Sequence, residues 1–382
     1  MEDDIKKLPD LDIADLIFTV KLEGKTGSES YKKLIGQIEE KKMLPLYKHL
    51  VESLKWTEDS ALAERLKAEN QDELKKLDEK IKDSVENFGE SEIREAYLAK
   101  SDYYCRIGDK SSAVEFFRQT FEKTVPLGQK LDIVFTLIRM GIFWMDHDLV
   151  TRNLEKAKSL VEEGGDWDKK NRLKTYEAVY LMSIRKFEEA SNLFLETVAS
   201  FTSVEFIEYS RFVEYLVFTS LLHLDRVSLK QKVIDSPDVL SVINDVPRLQ
   251  DLLLSFYNGD YANFFSALAH FSDDIKGDRY LAEHSRFFTR EMRILAYTQY
   301  LESYSSVKLE SISNQFGVSV DFIDKELSRF VAAGRLNCKV DKVSGVIETT
   351  RSDVKNQLYK TTLQQSDNLL NRIQKLSRVI NV

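Results

Sequence analysis

Apolar residues recur every three or four positions along most of the chain up to about Arg290, which is typical of amphipathic helices. Short polar breaks separate pairs of helical stretches, as in helical hairpins. The breaks follow one another at intervals of about 34 to 40 residues, within the range of helical-hairpin solenoids, and lie near Gly108-Asp109, Asp146-His147, Arg185-Lys186, Asp225-Arg226 and Gly259-Asp260. Since no hairpin can bury its apolar side alone, the pattern predicts a stacked array of hairpins.

Two further helices are predicted ahead of the hairpins. The first begins after Pro9 with Asp10 as its N-terminal cap, and it ends at a polar break over Glu23–Glu29. The second runs from Ala61 to Phe88, where charges of both signs surround an apolar stripe with helical spacing. This distribution of charge predicts a long helix with solvated faces.

The pattern changes after about Arg290. Helical spacing from Ile294 to Tyr304 precedes a short strand-like segment and two helices, Glu310–Phe316 and Val320–Ala333. Apolar and polar residues then alternate on both sides of a turn at Asp341–Gly345, which predicts a β-hairpin. A helix, a strand, two helices and a hairpin form a winged-helix arrangement.

The last segment, from Asp353 to Ile380, contains neither glycine nor proline and predicts one long helix with Ser352 as its cap. Its aliphatic residues fall mostly at three- and four-residue spacing and form what we call the terminal stripe: Leu369, Leu370, Ile373, Leu376 and Ile380. Covering these side chains contributes roughly 8–15 kcal/mol, at roughly 1.5–3 kcal/mol each. The stripe either folds back on its own domain or enters a bundle with other chains, and its spacing fits both.

The predicted sheet of the winged helix is a second candidate interface. The margin of a small sheet carries unpaired backbone N–H and C=O groups, which another chain can satisfy. We expect Val340, Val343, Val346 and Ile347 of the hairpin to lie near such an edge. The alternative is an edge that is solvated and has no partner.

Composition and charge exclude several classes of protein. Glycine (14) and proline (5) are scarce among 382 residues, which disfavours a large all-β fold. The formal net charge of −8 argues against a general nucleic-acid binder, and the third helix of the winged helix carries more acidic than basic residues. The five histidines are scattered, and Cys105 and Cys338 lie far apart, which predicts buried reduced thiols. We expect no catalytic site, cofactor or metal.

The chain also lacks the features of membrane targeting. Its first residues have neither the basic start nor the apolar core of a signal peptide. The longest uncharged apolar run, around Tyr215–Leu224, is about half as long as a bilayer-spanning helix needs. We therefore expect an intracellular protein without membrane contact.

Four stretches resemble the proteasome-lid members of the PCI family, a module also found in the COP9 signalosome and translation initiation factor 3. They are YYCRIGD at 103–109, REMRILAYTQYLESY at 290–304, FIDKELSRFVAAGRL at 322–336 and LNRIQKLSRVINV at 370–382. The resemblance implies a mostly α fold, with a right-handed TPR-like helical-hairpin solenoid, a winged-helix (PCI) domain and a long C-terminal helix. The expected boundaries are 1–55 for an N-terminal helical segment, 56–290 for the repeats, 291–351 for the winged helix and 352–382 for the bundle helix.

The resemblance implies a non-catalytic scaffold subunit in a hetero-oligomer of the cytoplasm and nucleus. Family members join their winged-helix sheets and gather their C-terminal helices into a bundle. The implied neighbours are non-ATPase regulatory subunits 11 and 3 of the lid, with the deubiquitinase and the ATPase ring contacted indirectly. Two alternatives stay open: a PCI subunit of the COP9 signalosome, and a winged-helix protein that binds nucleic acid.

Overall fold

The computed structural model describes residues 7–24, 27–349 and 354–380. The chain divides into two compact units, unit 1 with Met1–Gln250 and Phe271–Ser285, and unit 2 with Asp251–His270 and Arg286–Val382. Helices dominate both units, and the sheet found among the described residues belongs to unit 2. The predicted mostly α fold, a helical solenoid with a winged helix and a long C-terminal helix, is confirmed. The predicted four-segment boundaries stay a prediction.

Three helices at the start of unit 1 share one apolar core. They are α1 (Leu11–Glu23), α2 (Glu29–Glu40) and α3 (Leu44–Leu54). The predicted cap is confirmed, because the Asp10 side chain accepts a hydrogen bond from the backbone N–H of Asp12. Gly24 ends α1 in the left-handed conformation, with φ of 61°. Ile13 and Leu34 are completely buried in the shared core.

Helical hairpins form most of the remainder of unit 1. Their helices are α4 (Ser60–Asn87), α5 (Glu90–Ile107), α6 (Lys110–Glu122), α7 (Leu127–Trp144), α8 (His147–Gly164), α9 (Trp167–Ser183), α10 (Phe187–Thr197), α11 (Tyr209–His223), α12 (Arg226–Leu229) and α13 (Pro237–Ile243). A π-helical turn, Lys230–Ile234, lies between α12 and α13. The predicted long charged helix corresponds to α4. The first four predicted turns all lie at junctions of consecutive helices, although His147 and Arg226 already begin the second helix of their junctions.

Capping side chains and one glycine fix the hairpin turns. The Asp109 carboxylate accepts a hydrogen bond from the backbone N–H of Ser112 at 3.2 Å, and Asp146 caps α8 in the same way. Gly108 has φ of 80°, and a Cβ atom at this position would lie 2.8 Å from Cβ of Leu46. Only glycine fits this turn, since any side chain would be strained and would also collide.

Aromatic side chains fill the space between successive hairpins, and small residues let the helices approach. Tyr176 is completely buried, with its ring centroid 5.3 Å from that of Phe135 and 4.3 Å from that of Phe206. Ala113 and Ala190 are also completely buried at helix contacts. The aromatic residues therefore contribute packing between repeats.

Unit 2 contains the winged helix. Its elements follow the hairpin of α14 (Pro247–Asn258) and α15 (Tyr261–Gly277), which is joined at the predicted turn Gly259-Asp260. They are α16 (Ser285–Glu302), β1 (Ser306–Lys308), α17 (Leu309–Phe316), α18 (Val320–Ala332), β2 (Cys338–Asp341) and β3 (Val346–Thr349). The sheet is antiparallel with strand order β1-β3-β2. Val307, Ile347 and Val340 face one another across the three strands.

The chain ends in α19 (Val354–Ile380), the predicted long helix. Its predicted cap, Ser352, lies outside the described residues. Cys105 and Cys338 are buried and form no disulfide, and burial raises the pKa of the Cys105 thiol to about 12. Among the described helices, none combines the length and hydrophobicity that a bilayer crossing requires.

Candidate partner-binding surfaces

The terminal stripe is exposed along about the last three turns of α19. Its five side chains, Leu369, Leu370, Ile373, Leu376 and Ile380, are between 56% and 71% exposed. Every side chain of α19 that the structure describes is exposed. Of the two possibilities left open by the sequence, folding back onto the same chain is therefore not what the structure shows. The stripe is a contiguous apolar surface, the kind that marks protein–protein contact sites.

The apolar surface of α19 extends beyond the terminal stripe towards the N-terminus of the helix. Leu358, Tyr359 and Leu363 are also exposed and continue the same side of the helix towards its N-terminus. Their three- and four-residue spacing to the terminal stripe is visible in the sequence, so the same criterion could have found them. Asn371 and Lys375 lie on the opposite side, which is polar. The helix is thus amphipathic over about six turns.

The sheet presents two strands, β1 and β2, at its margins, because β3 is the central strand. Val340 lies on β2 and so at an edge, as expected. The expectation that Val346 and Ile347 lie near an edge is wrong, since both are on β3, paired on either side. Ile347 is completely buried in the domain core. The strand order depends on how the hairpin folds back onto β1, which local alternation does not encode.

The turn of the hairpin holds Val343 in the solvent. Its side chain is 99% exposed. The Asp341 carboxylate accepts hydrogen bonds from the backbone N–H of Val343 at 2.9 Å and the hydroxyl of Ser344 at 2.6 Å. The Ser344 hydroxyl and the backbone N–H of Val343 lower the pKa of Asp341. Gly345 closes the turn with φ of 65°. An ordered turn thus displays an aliphatic side chain beside the β2 edge.

Known families and known proteins match this chain over most of its length. The family model described as 26S proteasome subunit RPN7 matches residues 59–232, and the PCI domain model matches residues 264–351. The 26S proteasome non-ATPase regulatory subunit 6 of Dictyostelium discoideum is 86% identical over 382 residues, which are 100% of both chains. This chain belongs to the 26S proteasome RPN7 family.

More distant relatives in the RPN7 family extend the match. The Arabidopsis thaliana homolog of subunit 6 is 54% identical, with 89% of this chain and 88% of the relative covered. The regulatory subunit RPN7 of Saccharomyces cerevisiae is 34% identical, with 99% and 95% covered. A third family model, the RPN7/PSMD6 C-terminal helix, matches residues 359–380 and so contains the whole terminal stripe. The relatives are named as regulatory subunits.

In this RPN7-family chain, two of the three acidic residues of α18, Asp324 and Glu326, have structural partners. Oε1 of Glu326 lies 2.7 Å from Nη1 of Arg293, and its Oε2 accepts a 2.7 Å hydrogen bond from the hydroxyl of Tyr297. Burial and the Glu326 carboxylate raise the pKa of Tyr297, so the phenol is a neutral donor. Asp324 pairs with Lys342 of the hairpin at 2.8 Å. These contacts hold α18 against α16 and the hairpin, a role that sequence reasoning missed because the partners are distant in sequence.

We expect Glu326→Ala to destabilise the winged helix by about 1–3 kcal/mol, because it leaves the partly buried Arg293 and the buried hydroxyl of Tyr297 without their carboxylate. Calorimetry of the full chain measures this as a lower midpoint of the thermal transition. Glu310→Ala is the matched control, since Glu310 is exposed on neighbouring α17. An equal midpoint for both variants would show that the contacts of Glu326 with Arg293 and Tyr297 contribute nothing.

Within the described ranges, the structure shows no group of three or more His, Cys, Asp or Glu side chains arranged to hold a metal ion. The α19 surface offers exposed apolar side chains, and the sheet edge offers backbone groups for strand pairing. The arrangement in this RPN7-family chain can therefore bind other polypeptides through a helix and through a strand edge.

Proposed function

We propose that this chain is a non-catalytic scaffold subunit of the lid of the 26S proteasome regulatory particle, and that it supports ubiquitin-dependent protein degradation. The observation that carries this proposal is the exposed terminal stripe on the segment matched by the C-terminal helix model of the RPN7/PSMD6 family. The relatives are regulatory subunits, and this chain has an amphipathic helix whose described side chains are all exposed. Together these two observations favour assembly with other chains.

The energetics favour a helix bundle around α19. Removing the five aliphatic side chains of the terminal stripe from water contributes roughly 8–15 kcal/mol, at roughly 1.5–3 kcal/mol per side chain. An isolated amphipathic helix in water forgoes this contribution and depends on partners for its stability. The opposite side of α19, with Lys360, Lys375 and Arg378, stays polar and suits the outside of a bundle. We infer that the C-terminal helices of other lid subunits cover the stripe.

The β2 edge supplies the second contact in this proposal. Among the described residues, β2 pairs only with β3, so its outer backbone groups are available to a neighbouring winged helix. Val340 and Val343 provide apolar side chains beside these groups. The implied neighbours are the PCI subunits named non-ATPase regulatory subunits 11 and 3, in a hetero-oligomer of the cytoplasm and nucleus. The deubiquitinase and the ATPase ring are contacted indirectly.

Affinity purification from cells tests this assignment against the alternatives. A tagged chain that assembles as proposed co-purifies with proteasomal ATPases and with ATP-dependent peptidase activity. A COP9 subunit instead brings down cullin deneddylase activity without the ATPases. A nucleic-acid-binding protein shows tight DNA binding at physiological salt, with affinity that falls steeply as salt rises.

Val343→Asp tests the role of the hairpin turn. Because Val343 is almost fully exposed, we expect the free chain to keep its stability, and we expect its affinity for the neighbouring PCI subunit to fall by about ten-fold through desolvation of the new charge. The measurement is a titration of purified partner subunit against the full chain by fluorescence anisotropy. Val343→Thr keeps the shape without a charge and should change the affinity by less than about three-fold. Unchanged binding by the aspartate variant would remove the turn from the proposed interface.

A further inference from the structure

Helix α1 is tied to two parts of unit 1 that lie far along the chain. The Asp15 carboxylate forms an ion pair through Oδ2 with Nη1 of Arg211, 196 positions later on α11. Its other oxygen, Oδ1, lies 3.2 Å from Nε of Arg279, in the connection between α15 and α16. A single carboxylate thus joins three separate elements.

A second acidic residue completes this junction. The Asp278 carboxylate pairs with Nη2 of Arg211 at 2.8 Å and accepts a 2.5 Å hydrogen bond from the hydroxyl of Tyr215. The Arg279 side chain is only 6% exposed, and its Nη2 donates to the hydroxyl of Tyr280 at 2.5 Å. Two carboxylates therefore balance two guanidinium groups in a partly buried setting, where removal of one partner leaves the buried Arg279 poorly compensated.

Asp278 also orders the backbone of the connection. Its Oδ1 accepts hydrogen bonds from the backbone N–H groups of Tyr280 at 2.8 Å and Leu281 at 3.1 Å. The connection then continues through a short 3₁₀ turn, Ala282–His284, directly into α16. The conformation of residues 278–284 thus depends on the same junction that holds α1.

The rest of α1 is seated by packing and by one further polar contact. Ile13, Ala14 and Val20 are buried in the core shared with α2 and α3. The backbone carbonyl of Leu8, just ahead of the helix, accepts a 2.9 Å hydrogen bond from Nε of the buried Arg139. Two cavities of about 480 and 360 Å³ are both lined by residues of α1. The helix is therefore not packed against other elements on every side.

We propose that α1 is a conformational clasp on the connection that leads into α16, and that Asp15 is the residue that locks it. A stacked solenoid has contacts between neighbouring repeats only, so its far elements order independently. The clasp changes this, because the release of α1 takes the Asp15 carboxylate away from Arg211 and Arg279 at once. It leaves Asp278 as the remaining partner of Arg211. We therefore expect α1, the first turns of α11 and residues 278–284 to open and close together as one locally cooperative unit.

Hydrogen exchange of the full chain, read by mass spectrometry, tests the clasp. In Asp15→Asn, we expect exchange to rise by roughly ten-fold or more over residues 11–23, 209–215 and 278–284 together, because local opening becomes more populated. Residues 155–164, the second half of α8, do not line the cavities that the structure describes beside Tyr280, and they should exchange at the rate of the unsubstituted chain. Asp12→Asn is the matched control, since it removes the same charge from an exposed position of the same helix and should leave all four segments unchanged.

Two results would overturn the clasp. One is faster exchange of α1 alone in Asp15→Asn, with residues 278–284 as protected as before. The other is a uniform rise over the whole of unit 1, α8 included, which would make Asp15 an ordinary stability contact. Asp15→Glu provides a second variant, because it keeps the charge and should restore the protection of residues 278–284 at least in part.

Discussion

Replacing both Ile373 and Leu376 with aspartate is expected to leave the chain folded and to exclude it from the lid. Both side chains are more than half exposed in the free chain, so the new charges stay solvated and cost little there. In a helix bundle the same positions are covered, and each unpaired carboxylate then costs several kcal/mol. Co-purification with other lid subunits should fall by at least about a hundred-fold, since about 1.4 kcal/mol corresponds to a factor of ten.

The control for this pair lies in the same turn of α19. Asn371→Asp with Gln374→Asp adds the same two charges at polar positions beside the stripe. We expect this variant to assemble at the normal yield, with circular dichroism equal to that of the stripe variant. If both variants assembled equally well, or both failed, the terminal stripe would not be the determinant of assembly.

Removing residues 352–382 is expected to abolish assembly altogether while the repeats stay folded. Because the described side chains of α19 are all exposed, the truncation removes no side chain that the structure describes as buried. The midpoint of the main thermal transition should therefore shift by only a few degrees, whereas sedimentation should find the truncated chain outside lid particles. A chain that lacks only residues 381–382 serves as the control. Recovery of the truncated chain in intact lid particles at normal yield would contradict the proposed role of the helix.

Much of the fold could be predicted from the sequence because its signals are local. The turn at Gly108 requires φ above zero, and Asp109 caps the next helix through a residue three positions away. Helical periodicity places the hairpins between such turns, and alternation about Asp341–Gly345 defines the β-hairpin. Each of these features depends on residues within about one turn of one another.

The features that sequence reasoning missed depend on distant residues. The central position of β3 is set by its pairing with β1, some forty residues earlier, so Val346 and Ile347 could not be assigned to the centre from alternation alone. The partners of Asp15 lie on α11 and after α15, and no local sequence pattern indicates that they pair with it. Both are products of tertiary contact, and a single sequence carries no periodic signal for them.

In the candidate site, too, local features can be predicted from the sequence and features that depend on tertiary contacts cannot. The terminal stripe was predicted because an apolar face on one helix is a local pattern, and the structure adds that this face is uncovered. Its extension to Leu358 and Leu363 follows the same spacing. The edge position of Val340 required the strand order, which the sequence left undetermined.

Native mass spectrometry of the tagged chain, purified from cells under gentle conditions, tests the central claim most directly. The account predicts one copy of this chain in particles whose mass equals the sum of several different subunits. It predicts that the Ile373→Asp, Leu376→Asp variant is recovered at the mass of a single chain, about 44.3 kDa plus the tag. Recovery of the unsubstituted chain as a stable monomer of that mass would contradict the account.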